Sequence, residues 1–257
     1  MAVGVKSQRT SDRFTVGYVI LGVAVVIAAL VLAVQLGDSK TTVAPDTWSA
    51  WKPNPALGVN GIVEIADHVG QRYKLPDGNQ LVVIKASYPG HVGELDPSAV
   101  RAKTLDVSTL VIANTAPDGQ VSYTAGFPTF PTTVEYQLCG ASPKCRIPGG
   151  MTAETQAKLH REGLELALYT FHYIPELTNV VEIFPPGPDG QPSRAVVLGS
   201  SQLAAVLQAP LAATLPAQPV AGEQASINRL MAASTYDYLY QQLYDGTFQM
   251  VLSTPNS

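Results

Sequence analysis

The side chains with the greatest capacity for chemistry are four histidines, and the sequence spaces them far apart. They are His68, His91, His160 and His172. None stands in an H-x-H or H-E-x-x-H pattern, in which two imidazoles reach one metal ion. His172 and Glu176 are four residues apart, but Pro175 lies between them and ends the helix that would align them. We therefore expect surface or capping histidines, with no catalytic residue, metal or cofactor. A catalytic or metal site would have to be assembled from distant segments.

Carboxylates between residues 153 and 173 are the second candidate for chemistry. Glu162 and Glu165 are three residues apart, so on a helix they share one side. Paired carboxylates can exchange protons in acid–base catalysis. The same spacing is typical of a charged, solvated helix face, which is the interpretation we favour. Ser200 and Ser201 follow a predicted strand but lack the flanking glycines of a nucleophile elbow, and they favour a helix cap instead.

Two cysteines, Cys139 and Cys145, enclose a short segment that contains Gly, Ser and Pro. Two thiolates make half of a zinc site, which normally needs four ligands. The intervening residues suit a tight loop, and oxidation is permitted outside the cytoplasm. The sequence thus favours a local disulfide over half a metal site.

An uncharged run at 16–36 determines on which side of a membrane all of these residues would lie. About 20 apolar residues are what an α-helix needs to cross a bilayer. Three cations precede the run, whereas Lys40 after it is balanced by Asp38, so the positive-inside rule puts the N-terminus in the cytoplasm. The residues expected to anchor the span include Tyr18, Ile20, Val26, Leu30 and Leu36.

A cleaved signal peptide is the alternative interpretation of this run. The run is longer than the usual apolar region of about 7–15 residues, and no clear small-x-small cleavage site follows it. We favour an uncleaved anchor in the plasma membrane. The predicted organisation is a cytoplasmic arm at 1–15, the transmembrane anchor at 16–36, a linker at 37–57 and an extracytoplasmic domain at 58–257.

Charge excludes nucleic acid as a partner. The chain has a net charge of −4, and its first 36 residues carry +2, which leaves −6 for the remainder. A domain of that charge, without a cluster of Lys and Arg, cannot neutralise phosphates effectively. No phosphate-binding glycine motif occurs either.

Aromatic side chains at both ends of the domain indicate a possible partner surface. Trp48 and Trp51 lie in the predicted linker, where they either rest at the lipid headgroups or pack on the domain. Apolar periodicity predicts a last helix from about residue 222 to residue 244. Tyr236, Tyr240 and Tyr244 belong to it, and tyrosine-rich faces favour binding, although ordinary core packing explains them too.

Periodicity along the domain predicts an α+β fold with a mixed, largely antiparallel sheet and about three main helices. The helices are expected at 59–73, 153–173 and 222–244, with Thr152 as the cap of the second. A short helix is expected through residue 207. Strands are expected at 80–87, 105–115, 120–125, 132–138, 179–184, 194–198 and 247–253, with hairpins between 105 and 125 and between 179 and 198.

These features favour a non-enzymatic role. We expect a single-pass, membrane-anchored interaction domain outside the cytoplasm, as an accessory or assembly subunit of a bacterial membrane or envelope complex. Its partners would be the lipid bilayer and other membrane or envelope proteins. The sequence leaves open an anchored hydrolase whose site is assembled from distant His and Glu, and a module that binds cell-wall polymer or a small ligand.

Overall fold

The structure is a computed structural model. It describes residues 48–87, 107–115, 121–128, 132–187, 193–220 and 222–255. The predicted arm, the predicted anchor and residues 37–47 of the predicted linker lie outside them, as does His91. Within the described ranges, no helix has both the length and the apolar character needed to cross a membrane.

The described residues form a mixed α+β domain that contains eight strands and five α-helices. The helices are α1 (Gly61–Gly70), α2 (Ala153–Tyr173), α3 (Ser200–Leu207), α4 (Leu211–Thr214) and α5 (Glu223–Ala233). Short 3-10 helices cover Pro55–Asn60 and Pro143–Cys145. The strands are β1 (Val83–Ser87), β2 (Val107–Thr115), β3 (Val121–Pro128), β4 (Thr133–Cys139), β5 (Asn179–Ile183), β6 (Ala195–Gly199), β7 (Thr235–Gln242) and β8 (Phe248–Ser253).

The strands form one mixed sheet in the order β1-β4-β5-β6-β7-β8-β2-β3. Five of the seven pairings among these described strands are antiparallel, and β4–β5 and β2–β8 are parallel. The predicted hairpins are confirmed as β2–β3 and β5–β6. Parallel pairing of β4 with β5 requires a crossover, which α2 supplies.

The sheet bends between β6 and β7, where only two residue pairs join the strands. On one face, Val180 and Leu198 belong to a core shared with the helices. On the other face, Val181 of β5 belongs to a second core that also holds Met250 and Leu252 of β8. The half-sheet β7-β8-β2-β3 thus faces the half-sheet β1-β4-β5-β6, and the described helices cover the opposite face of the latter.

Helix α2 lies at the centre of the helical layer. Thr152 caps it as predicted, because its hydroxyl accepts a hydrogen bond of 3.1 Å from the Thr155 amide. Every residue from Leu159 to Phe171 is buried, so no side of that stretch faces solvent. The helix ends before Pro175, as the sequence predicts.

The predicted last helix is wrong beyond Ala233, because the tyrosine-rich segment is strand β7. Thr235, Tyr236, Tyr238 and Tyr240 are β-branched or aromatic, and such residues favour a pleated surface. Strand β8 supplies the hydrogen-bonded neighbour for β7, with Gly246 at φ 87° in the turn between them. The predicted serine cap of α3 is also wrong: Gly199 occupies the N-cap, and its amide donates to Gln202 Oε1 at 2.7 Å.

Candidate functional site

The N-terminal strap, defined as residues 48–60, is bound to the domain by two tryptophan–histidine stacks. Trp48 lies on His172 with ring centroids 4.1 Å apart and planes 10° from parallel. Trp51 lies on His68 at 3.9 Å and 5°. Tyr169 presents an edge-to-face contact to each indole, at 5.4 Å and 5.5 Å. Both tryptophans therefore pack on the domain, one of the two placements expected for them.

Hydrogen bonds tie the strap to three helices. The Tyr173 hydroxyl of α2 donates to the Trp51 carbonyl at 3.2 Å. The Leu211 amide of α4 donates to the Trp48 carbonyl at 2.8 Å. The Asn54 amide donates to a carboxylate oxygen of Glu64, on α1, at 2.7 Å. The strap is thus attached to the domain through Trp48, Trp51 and Asn54, while most of residues 48–57 of the predicted linker stay exposed.

The two stacked histidines favour the neutral imidazole. Burial lowers the pKa of His172. Burial, and then the nearby Arg72 guanidinium, lower the pKa of His68. His68 Nε2 also lies 3.5 Å from the Tyr169 hydroxyl. Because the pKa of each ring is lowered in the folded domain, protonation at acid pH lowers the stability of the folded state that contains the two stacks.

The tyrosines of β7 are divided between the second core and the surface. Tyr236, Tyr238 and Tyr240 alternate along the strand and pack against the second core. Leu239 points the other way and is 56% exposed, and Tyr244, after the strand, is fully exposed. Of the three tyrosines predicted as a partner surface, Tyr244 is the fully exposed one.

A half-buried carboxylate on β4 lies beneath the tyrosine strand. The Tyr240 hydroxyl donates to both oxygens of Glu135 on β4, at 3.4 Å and 3.5 Å. Burial raises the pKa of Glu135 to about 7, and the hydrogen bond from Tyr240 opposes that rise. The charge of Glu135 therefore changes near neutral pH.

The predicted solvated face at Glu162 and Glu165 is wrong, because the two side chains are 0% and 1% exposed. The reason is the central position of α2, whose polar residues have no free side to occupy. Glu165 is compensated: the Arg72 guanidinium donates to Oε1, and the Tyr73 hydroxyl donates to Oε2 at 2.6 Å.

Two other buried carboxylates have no such compensation. Neither oxygen of Glu162 or of Glu182 has a hydrogen-bond partner among the described residues. Glu182 projects from β5 towards α2, where a Cβ on Gly163 would overlap its Oε2. Burial raises the pKa of Glu182 to about 8. Burial, and then the Glu165 and Glu182 carboxylates, raise the pKa of Glu162 well above its usual range.

The two carboxyl groups therefore favour the protonated, uncharged form at neutral pH, since a buried carboxylate without a partner is costly. The sequence carries two weak signals for the buried position of Glu182. One is a glutamate inside the apolar strand NVVEI, and the other is a glycine, Gly163, inside α2. Neither signal reveals that Glu182 and Gly163 touch.

His160 is 9% exposed and lines a cavity of about 220 Å³, so the prediction of a surface or capping histidine is wrong there. The Ala157 carbonyl can only accept, so the contact of 3.1 Å to Gln224 fixes Nε2 of that amide as a donor. That Nε2 also contacts Asn228 Oδ1 at 2.9 Å, which makes Oδ1 the acceptor. His160 Nδ1, 2.9 Å from the same oxygen, must therefore carry the proton.

The remaining histidines do not converge on a catalytic centre in the described part of the chain. His68 and His172 are each stacked on a tryptophan. Within these residues, no group of three or more His, Cys, Asp and Glu side chains is arranged to hold a metal ion. The site that the fold defines best is the neutral His160 imidazole in its cavity.

Cys139 and Cys145 lie at bonding distance, with 2.05 Å between their sulfur atoms, as the predicted disulfide requires. The Gly140 amide donates to the Cys145 carbonyl at 3.0 Å, and the Ser142 amide donates to the Arg146 carbonyl at 3.0 Å. A Cβ on Gly140 would overlap the backbone of Arg146, so only glycine fits the closed loop.

No family model, curated protein or solved structure matches this chain. The fold and its sites define a mixed α+β domain with a docked N-terminal strap, a buried acid pair and a histidine-lined cavity.

Proposed function

We propose that the protein is a single-pass, membrane-anchored interaction domain that acts outside the cytoplasm. In this proposal it is an accessory or assembly subunit of a bacterial membrane or envelope complex. The supporting observation is the docked strap. If residues 16–36 cross the bilayer, only the eleven residues 37–47 separate the span from Trp48. Fully extended, they reach about 40 Å.

The docked strap limits how far the domain can move from the bilayer. Its stacks and backbone hydrogen bonds join it to α1, α2 and α4. If the strap were free, 13 further residues would lengthen the tether and let the domain sample a much larger volume. A short tether keeps the domain beside neighbouring membrane proteins, which raises its effective concentration for them.

Strand β7 offers the surface that best fits such a partner. Leu239 is 56% exposed and Tyr244 is fully exposed. Exposed apolar and aromatic side chains are costly in water and effective at interfaces. Tyr240, which is held by Glu135, and Tyr236 pack beneath the strand, so the outer face is presented on a supported element.

Site-specific photo-crosslinking in intact membranes tests the proposal. A photoreactive amino acid at Leu239 should give a discrete adduct of fixed size, and the added change Tyr244→Ser should weaken it. The matched control is Val83, a residue of the edge strand β1 that is 50% exposed and lies four strands from β7 in the sheet order. External protease should digest the domain in spheroplasts.

Equal crosslinking from both positions, or protection of the domain from external protease, would refute the proposal. The hydrolase alternative has weaker support, because His68 and His172 are engaged by indole rings and Glu165 is engaged by Arg72 and Tyr73.

A further inference from the structure

The cavity at His160 is partly open to solvent and is lined by residues of several elements. Phe184 and Pro185 follow β5, Arg194 precedes β6, and Leu159 and His160 belong to α2. Its volume is about 220 Å³. Ligand pockets for drug-sized molecules span about 300–1,000 Å³, so a single ring with short substituents is the size that suits this one.

The inner part of the cavity presents a hydrogen-bond acceptor. The Gln224–Asn228 pair holds the proton of His160 on Nδ1, which leaves the lone pair on Nε2. Among the described residues, the hydrogen bond of the His160 ring is the one from Nδ1 to Asn228. Burial lowers the pKa of His160, so the ring stays neutral and Nε2 stays an acceptor at neutral pH. Such an atom selects an O–H or N–H group and disfavours an ether or carbonyl oxygen.

The outer part of the cavity presents a cation. The Arg194 side chain is 41% exposed, against 9% for the His160 residue. Its Nε lies 3.3 Å from Asp237 Oδ1 without forming a hydrogen bond, so the pair is a charge contact and the guanidinium makes no hydrogen bond to a described residue. Of the described side chains that line the cavity, Arg194 is the one with a formal charge. A guanidinium with free terminal nitrogens matches a carboxylate.

We propose that this cavity binds a small monocyclic carboxylate that carries a hydroxyl group at the end opposite the carboxylate. The hydroxyl donates to His160 Nε2, the ring packs on Phe184 and Pro185, and the carboxylate binds the Arg194 guanidinium. This ligand site is separate from β7 and goes beyond the proposed interaction role. The two proposals can therefore fail independently.

The ligand series is tested first on the unmodified full chain in detergent, by isothermal titration with empty micelles as the blank. The probe is 4-hydroxyphenylacetate. Phenylacetate lacks the donor, 4-methoxyphenylacetate replaces it with an acceptor, and 2-(4-hydroxyphenyl)ethanol lacks the carboxylate. We expect each of the three to bind at least about tenfold more weakly than the probe, since each loses one directed interaction.

Variants then assign the two contacts. His160→Phe keeps an aromatic ring and removes the acceptor, so it should weaken the probe about tenfold and leave phenylacetate unchanged. Arg194→Met should weaken both carboxylates and leave the alcohol unchanged. Arg229→Met is the matched control, because Arg229 is exposed on α5 and bonds only within its own helix among the described residues.

Two outcomes overturn the proposal. One is no saturable heat of binding for 4-hydroxyphenylacetate up to about 10 mM with the unmodified chain, a concentration about tenfold above a Kd of 1 mM. The other is equal binding of the whole ligand series. Because the series needs no variant, a His160→Phe protein that fails to fold does not protect the proposal from refutation.

Discussion

Replacing Glu182 by glutamine should stabilise the domain at high pH and leave it nearly unchanged at low pH. The folded protein buries this carboxyl completely, without a partner among the described residues, and burial raises its pKa from 4.5 to about 8. Glutamine has the shape of the protonated acid and no charge. The change Glu182→Gln therefore removes the cost of ionisation while it keeps the packing against Gly163.

The sign follows from proton linkage. The folded state holds the Glu182 proton more tightly than the unfolded state, so this group contributes stability below about pH 4.5 that is lost as the pH rises through about 8. At 1.36 kcal/mol per pH unit, the loss amounts to roughly 4–5 kcal/mol. A domain of this size has about 5–15 kcal/mol in total, so the effect is large.

Urea unfolding of the full chain in detergent, followed by far-UV circular dichroism at about pH 5 and pH 9, measures the effect. At pH 5 we expect Glu182→Gln and the unmodified protein to agree within about 1 kcal/mol, and at pH 9 we expect the variant to be more stable by several kcal/mol. Glu176→Gln, at an exposed position, is the control.

Glu162 adds to the same pH dependence, because its pKa is raised by burial and by the Glu165 and Glu182 carboxylates. Some slope should therefore remain in Glu182→Gln, and the double variant Glu162→Gln/Glu182→Gln should lower it further, leaving the part that comes from Glu135 and Glu165, whose pKa values burial also raises. Equal stability of the unmodified protein at pH 5 and pH 9 would refute the raised pKa of Glu182. Equal destabilisation of Glu182→Gln at both pH values would refute it too.

Three further predictions concern the strap, the helix–strand contact and the disulfide. Both tryptophans of the chain lie in the strap, so their emission reports on its packing. The folded domain lowers the pKa of His68, and the stability that this contributes is lost as the pH falls below about 6.5. Tryptophan emission should therefore shift to longer wavelength at about pH 5, and less so in His68→Gln. Gly163→Ala should lower thermal stability by about 1–3 kcal/mol through overlap with Glu182, and Glu182→Ala should relieve that loss. Cys139→Ser/Cys145→Ser should lower the free energy of unfolding by about 2 kcal/mol, a modest loss because the closed loop is short. Urea unfolding should show this as a lower midpoint, and an unchanged midpoint would contradict the prediction.

Local signals were sufficient for elements that the chain specifies over short distances. Thr152 at one end and Pro175 at the other bound α2, and their effects need only neighbouring backbone groups. The β2–β3 and β5–β6 hairpins join neighbouring segments. Cys139 and Cys145 are six residues apart, so the loop between them brings the sulfurs together.

The segment from Thr235 to Gln242 shows where periodicity is insufficient. Its apolar residues suit both a helix with two apolar sides and a strand with alternating tyrosines. Strand β8 decides between them, because it supplies the hydrogen-bonded partner while the second core accepts Tyr236, Tyr238 and Tyr240. The choice depends on residues outside the segment, so no window of sequence contains it.

The sequence is sufficient to predict the α+β class and the order of most elements. It also predicts the loop closed by Cys139 and Cys145 and the net negative charge of the domain. Which polar residues are removed from water depends on the packing of distant segments. The packing of α2 on β5 brings Glu162 close to Glu182. The hydrogen bond to Asn228 on α5 determines which ring nitrogen of His160 carries the proton. Burial and proton position depend on atoms that are distant in sequence. The sites at Glu182 and His160 therefore come from the three-dimensional arrangement.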